Sequence, residues 1–169
     1  MRLLAILLLV QFYSCSHAQE WTRDELSIYK TFDEFEHILH QDNDTTYLIN
    51  FWATWCSPCV AELPYIDAMN NQYKDSKFKN ILVSLDFEKQ IDTRLVSFLN
   101  TNKIQSDIVV LLDGKSSRWI DKVDPQWSGA IPITIIYNKD KRLFFEKQFH
   151  SEQEPVSYTH LTLPTILLV

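Results

Sequence analysis

Cysteine is scarce in this chain: its 169 residues contain three, Cys15, Cys56 and Cys59. A structural zinc site takes four ligands, so cysteine alone cannot build one here. His37, His40 and His150 offer themselves as additional ligands, although a polar helix face explains the first two more simply. Long apolar runs are also missing. Leu3 to Val10 holds about eight apolar residues, where a helix crossing a bilayer needs about twenty. Basic clusters are absent as well. Sixteen Lys and Arg stand against 22 Asp and Glu, a net charge of −6 at pH 7. That balance argues against nucleic acid or an anionic membrane surface as the main ligand. Finally, residues 156–169 contain no Asp, Glu, Lys or Arg at all.

What the chain does have is one stretch around which the rest is organised, Tyr47 to Pro64. Tyr47 to Ala53 is apolar and rich in β-branched and aromatic residues, the pattern of a buried strand. The run breaks over Thr54 and Trp55 and restarts at Cys56 as a helix, with Pro58 tolerated in its first turn. Cys56 thereby meets the free N–H groups and partial positive charge of a helix N-terminus. A thiolate, the reactive form of cysteine, is favoured there. Cys59 follows one turn later, close enough to close a tight disulfide. The bland alternatives are zinc and a purely structural disulfide; the sharper one is a redox switch.

The run Phe51-Trp-Ala-Thr-Trp-Cys-Ser-Pro-Cys59 resembles the active-site segment of the thioredoxin superfamily. Pro64, five residues after Cys59, matches the proline that bends the active-site helix there. Asn50 stands where ordinary thioredoxins carry a buried Asp, and Glu62 lies three residues after the second cysteine. Both features resemble the TlpA/ResA-like extracytoplasmic thiol-disulfide oxidoreductases. The resemblance spans about Thr31 to Gln148. It implies an α/β, thioredoxin-like three-layer fold, with a mixed central sheet between helices and an extra strand-helix insert after Ile81. It also implies no cofactor and no metal.

Met1 to Gln19 reads as a leader: Arg2, an apolar core, and the small-x-small signal Ser16-His17-Ala18. Residues 1–18 are therefore expected to be a signal peptide and 19–30 an N-terminal extension with a first strand near Ser27 to Lys30, followed by the main domain at 31–155. A lipid anchor on Cys15 is the lesser alternative, because Phe12 and Tyr13 fit a lipoprotein box poorly. Thr31 and Glu34 form a capping-box pattern ahead of the stripe Phe32, Phe35, Ile38 and Leu39. Further strands are expected at Ile81 to Leu85, Ile108 to Leu112, Ile131 to Tyr137 and Leu143 to Phe149, and helices at Asp92 to Asn100 and Lys115 to Val123. The last two strands are joined by a turn over Asn138 to Lys141. Val156 to Thr165 resembles a translated sequencing-library adapter, so 156–169 is expected to be a non-native tail. No amphipathic pattern follows Gln148, and the terminal helix usual in the family is expected to be missing.

Gly129-Ala-Ile-Pro132 is the second chemical landmark. Proline at a strand start removes a ladder donor. The superfamily places a cis-proline opposite the two cysteines, and the resemblance implies a cis Ile131–Pro132 bond there. It further implies that Cys56 attacks a partner's disulfide, that Cys59 resolves the intermediate, and that Glu62 relays the Cys59 proton. Ile131, Pro132 and Trp55 would contact substrate, while Asn50 and Pro64 are structural. The expected partners are a disulfide-containing protein and a membrane-embedded thiol electron donor, for a monomer in the bacterial periplasm. A thiol peroxidase-like enzyme is one alternative, although its Pro-x-x-x-Thr-x-x-Cys motif is absent. A copper or thiol-binding carrier is another, and carriers on this fold normally show C-x-x-x-C.

Overall fold

The computed structural model describes residues 20–159. The expected leader, Cys15 and the tail beyond Thr159 lie outside them. Six strands form one sheet in the order β1-β4-β3-β2-β5-β6. They are β1 (Ser27–Tyr29), β2 (Thr46–Trp52), β3 (Phe78–Ser84), β4 (Asp107–Leu111), β5 (Ile133–Tyr137) and β6 (Arg142–Phe145). The first four run parallel to one another, whereas β5 and β6 are antiparallel to their neighbours. The expected mixed sheet flanked by helices is the observed one.

Every residue of β2 is buried, as suits a strand covered on both faces. The pleat sends alternate side chains to opposite sides. Leu48 and Trp52 join Leu82, Val110 and Ile136 in one core, beneath α2 (Ser57–Gln72) and α3 (Val96–Asn102). Ile49 and Phe51 join Val83, Ile133 and Ile135 in a second core, beneath α1 (Phe32–Phe35) and α4 (Ile120–Val123). Asn50 shares the parity of Leu48 and Trp52, so it lies on the α2 side.

The capping box at Thr31 is present, with Glu34 N donating to Thr31 Oγ1 at 3.4 Å and Thr31 N to Glu34 Oε2 at 3.4 Å. Thr31→Ala is expected to lower stability by about 1 kcal/mol, seen as a lower urea midpoint with an unchanged slope. The helix after it tightens into a 3₁₀ turn over Glu36–Leu39. Lys115 to Val123 is two short turns, Ser116–Arg118 and Ile120–Val123, instead of the single helix expected. Trp119 breaks it: its ring stacks on Phe32 at 5.4 Å, and its Nε1 donates to Asp113 O at 3.0 Å.

Between β3 and β5 the inserted helix α3 enters through a π-helical turn, Ile91–Leu95, and leads to β4, which sits between β1 and β3. β1 is the first strand expected near Ser27 to Lys30, and it joins the edge of the sheet beside β4. The largest departure is at the end. A helix, α5 (Gln153–Thr159), occupies a stretch where none was expected. Tyr158 packs on Phe145 at 4.3 Å between ring centroids, and Tyr73 Oη bonds Thr159 Oγ1 at 2.7 Å. Two turns hold too few apolar residues to declare a stripe, and they form through these distant contacts. Among the described residues no helix is long and apolar enough to cross a membrane.

Candidate active site

β2 and β5 pair antiparallel, with Asn50 opposite Thr134 and Phe51 opposite Ile133. The carboxyl end of β2 therefore meets the start of β5, and each leads into a loop at the same rim of the sheet. From β2 the chain turns through Thr54 and Trp55 into α2. From the other side, residues 128–132 lead into β5, with Gly129 at φ +96°. A side chain is strained at such a φ, and a Cβ there would also lie 3.1 Å from Ile120 Cδ1. Trp127 Nε1 holds this loop by donating to Ala130 O at 2.6 Å. The Ile131–Pro132 peptide bond is cis.

Cys56 is the N-cap of α2, and Cys59 N points at its sulfur, 3.3 Å away. Cys56 Sγ also lies 3.6 Å from Ile131 O, so the proline loop faces the first cysteine directly. Cys56 and Cys59 are joined as a disulfide with Cα atoms 5.2 Å apart. The two sulfurs differ in access: Cys59 is fully buried, and Cys56 is 6% exposed. Pro64 lies inside α2, where its ring removes one helical hydrogen bond. Trp55 is 46% exposed beside Cys56, while Trp52 is fully buried against Phe98.

Glu62 and Asn50 meet, a contact the sequence did not declare. Asn50 Nδ2 donates to Glu62 Oε1 at 2.8 Å and to Thr134 Oγ1 at 3.0 Å. Phe149 N donates to Glu62 Oε2 at 2.8 Å. Glu62 is completely buried. Burial pushes its carboxyl up to about 7, against the two hydrogen bonds that favour the charged form. It sits one turn beyond Cys59 on the same helix face. A carboxyl held so far above its ordinary range changes charge near neutral pH.

Three contributors went unnoticed in the sequence. Phe149 is fully buried and closes the Glu62 contact from a segment 87 residues away. Asp86 is buried at the end of β3 and binds Thr54. Phe87, 60% exposed, stacks beside Trp55 with ring centroids 6.4 Å apart. The one available signal was a polar Ser84-Leu-Asp86 ending on an apolar parallel strand, since sites gather at the carboxyl ends of such strands.

The Redoxin family profile matches residues 33–157. The chain belongs to the Redoxin family. Within the thioredoxin superfamily, this Redoxin chain is TlpA/ResA-like. It is 49% identical over 39 residues to the thiol-disulfide oxidoreductase ResA of Oceanobacillus iheyensis, covering 23% of this chain and 20% of that protein. Thioredoxin 1 of Nostoc sp. is 38% identical over 95 residues, covering 56% of this chain and 77% of that one. A solved DsbF homologue from Corynebacterium diphtheriae shares the fold, with a TM-score of 0.57 at 20% identity over 70% of this chain and 73% of that one. The Redoxin chain spans about half or less of the length of the curated ResA relatives it matches.

Proposed function

We propose that the protein is an exported thiol-disulfide oxidoreductase that reduces disulfides in partner proteins through Cys56 and Cys59. The observation that carries this reading is the disulfide at the N-cap of α2, with Cys56 Sγ 3.6 Å from the carbonyl before the cis-proline. Relatives named thiol-disulfide oxidoreductases support it. Export rests on the leader pattern, and a solved neighbour from Corynebacterium glutamicum is described as a secreted thiol-disulfide isomerase.

In the reduced protein the Cys56 thiolate is favoured by the Cys59 N–H and the positive end of α2. It attacks one sulfur of the partner's disulfide. The Cys56–partner S–S bond forms as the partner's own S–S bond breaks, and the departing sulfur leaves as a thiol after taking a proton. Cys59 then gives its proton to Glu62 and attacks Cys56 Sγ. The Cys56–Cys59 bond forms as the Cys56–partner bond breaks. The second partner sulfur leaves as a thiolate that takes up a proton equivalent to the one Cys59 gave up, and two electrons have passed to the partner. An extended substrate segment lies along Ile131 and Pro132 while Trp55 flanks the sulfurs. The Cys56–Cys59 disulfide is recharged by a membrane-embedded thiol donor on the extracytoplasmic side, where disulfides persist.

Insulin reduction with a small dithiol as electron source tests this directly. Catalysed precipitation of the insulin chains above the dithiol-only rate is expected. A rate equal to the dithiol alone would reject the reading.

A further inference from the structure

The end of β3 carries a charged group that the exchange chemistry leaves unused. Asp86 is 1% exposed, and a carboxylate buried so deeply needs several donors. The parallel pairing of β2 and β3 sets Trp52 opposite Ser84. Two residues further along each strand, Thr54 and Asp86 therefore meet. Thr54 N donates to Asp86 Oδ2 at 3.0 Å, and Thr54 Oγ1 donates to Oδ1 at 2.5 Å. Ser84 Oγ donates to Oδ2 at 2.8 Å. From the π-helical turn of the insert, Arg94 Nη2 donates to Thr54 O at 3.0 Å. The amide, the hydroxyl and the carbonyl of Thr54 are thus all held by residues 86–94.

The residue after each partner of this brace is an exposed aromatic. Trp55 follows Thr54 and Phe87 follows Asp86. They are the exposed large apolar side chains among the described residues. Their rings stack with centroids 6.4 Å apart and planes 19° apart. Trp55 directly precedes Cys56. A partner whose sulfur reaches Cys56 comes up beside Trp55, and the Phe87 ring extends that exposed apolar surface. An apolar ledge at that place favours an apolar or aromatic side chain, whose burial removes both surfaces from water.

We propose that Phe87 is a specificity-determining residue and Asp86 a positioning residue. Asp86 holds Trp55 and Phe87 as a docking ledge for an apolar side chain adjoining the substrate's disulfide. Arg94 ties the inserted helix to the same ledge. The inference rests on the exchange reaction proposed above.

The test uses two disulfide-linked peptides that differ only in carrying Phe or Ser beside the cysteine. Second-order rates of their reduction are compared for the reduced wild type, Phe87→Ala and Asp86→Asn. The wild type is expected to prefer the Phe peptide by about tenfold. In both variants the ratio is expected to fall to within about twofold. A purely structural role for Asp86 would slow both peptides alike and leave the ratio standing. Should Asp86→Asn fold poorly, Phe87→Ala, at an exposed position, decides the question alone. No preference in the wild type, or a preference that survives Phe87→Ala, overturns the ledge. A wild type that reduces neither peptide overturns the exchange reaction itself.

Discussion

Cys56→Ser is expected to slow insulin reduction by at least ~10³-fold, equivalent to about 4 kcal/mol of lost barrier lowering. The loss follows from sulfur chemistry alone. A serine hydroxyl does not ionise near neutral pH and does not displace a thiolate from a disulfide. The fold should tolerate the change, because serine is itself a favoured helix N-cap. Its oxygen can accept the Cys59 N–H that now points at Cys56 Sγ. Circular dichroism and thermal unfolding close to those of the reduced wild type would therefore accompany the lost activity. Residual turnover within tenfold of the wild type would place the chemistry elsewhere.

Glu62→Gln is expected to separate stability from activity. The Glu62 carboxyl sits at about 7 in the folded protein, raised from 4.5 chiefly by burial. The folded state thus binds this proton more tightly than the unfolded chain does. Its contribution is fully present below pH 4.5 and is lost as pH rises through about 7. The size of that loss is on the order of 3 kcal/mol. Glutamine has the shape of the protonated acid and cannot ionise. Urea titrations of the oxidised proteins should show the wild type losing stability relative to the variant as pH rises from 4.5 to 8, whatever constant offset the Gln amide adds by facing one of the two N–H donors. The same variant lacks an acceptor for the Cys59 proton, so release of the mixed disulfide should slow by ~10². Parallel stability profiles for the two proteins would show that burial does not hold the Glu62 proton, and an unchanged rate of mixed-disulfide release would remove Glu62 from the proton path.

Local signals explain what was legible beforehand. The buried strand, the break at Thr54 and the helix restart at Cys56 are all encoded in a few consecutive residues, as is the cap at Thr31. The cis Ile131–Pro132 bond was legible only through family resemblance, since proline context alone seldom implies cis. Contacts set by strand register were not legible. Asp86 binds Thr54 because Trp52 pairs with Ser84, and one residue of slip would point the carboxylate to the opposite face. Glu62 reads as a half-exposed helix residue until Phe149 and Asn50 close over it. Helix α5 was missed for the same reason, since Tyr158 and Thr159 find their partners in β6 and at Tyr73, just past the end of α2.

The central claim is that Cys56 is the sulfur that meets the partner. Reduced Cys59→Ser protein, mixed with insulin and analysed by mass spectrometry, tests it most directly, because the second cysteine can no longer release the intermediate. A covalent adduct that maps to Cys56 and dissolves with excess dithiol is the expected result. No adduct, or one that maps only to Cys15, would contradict it.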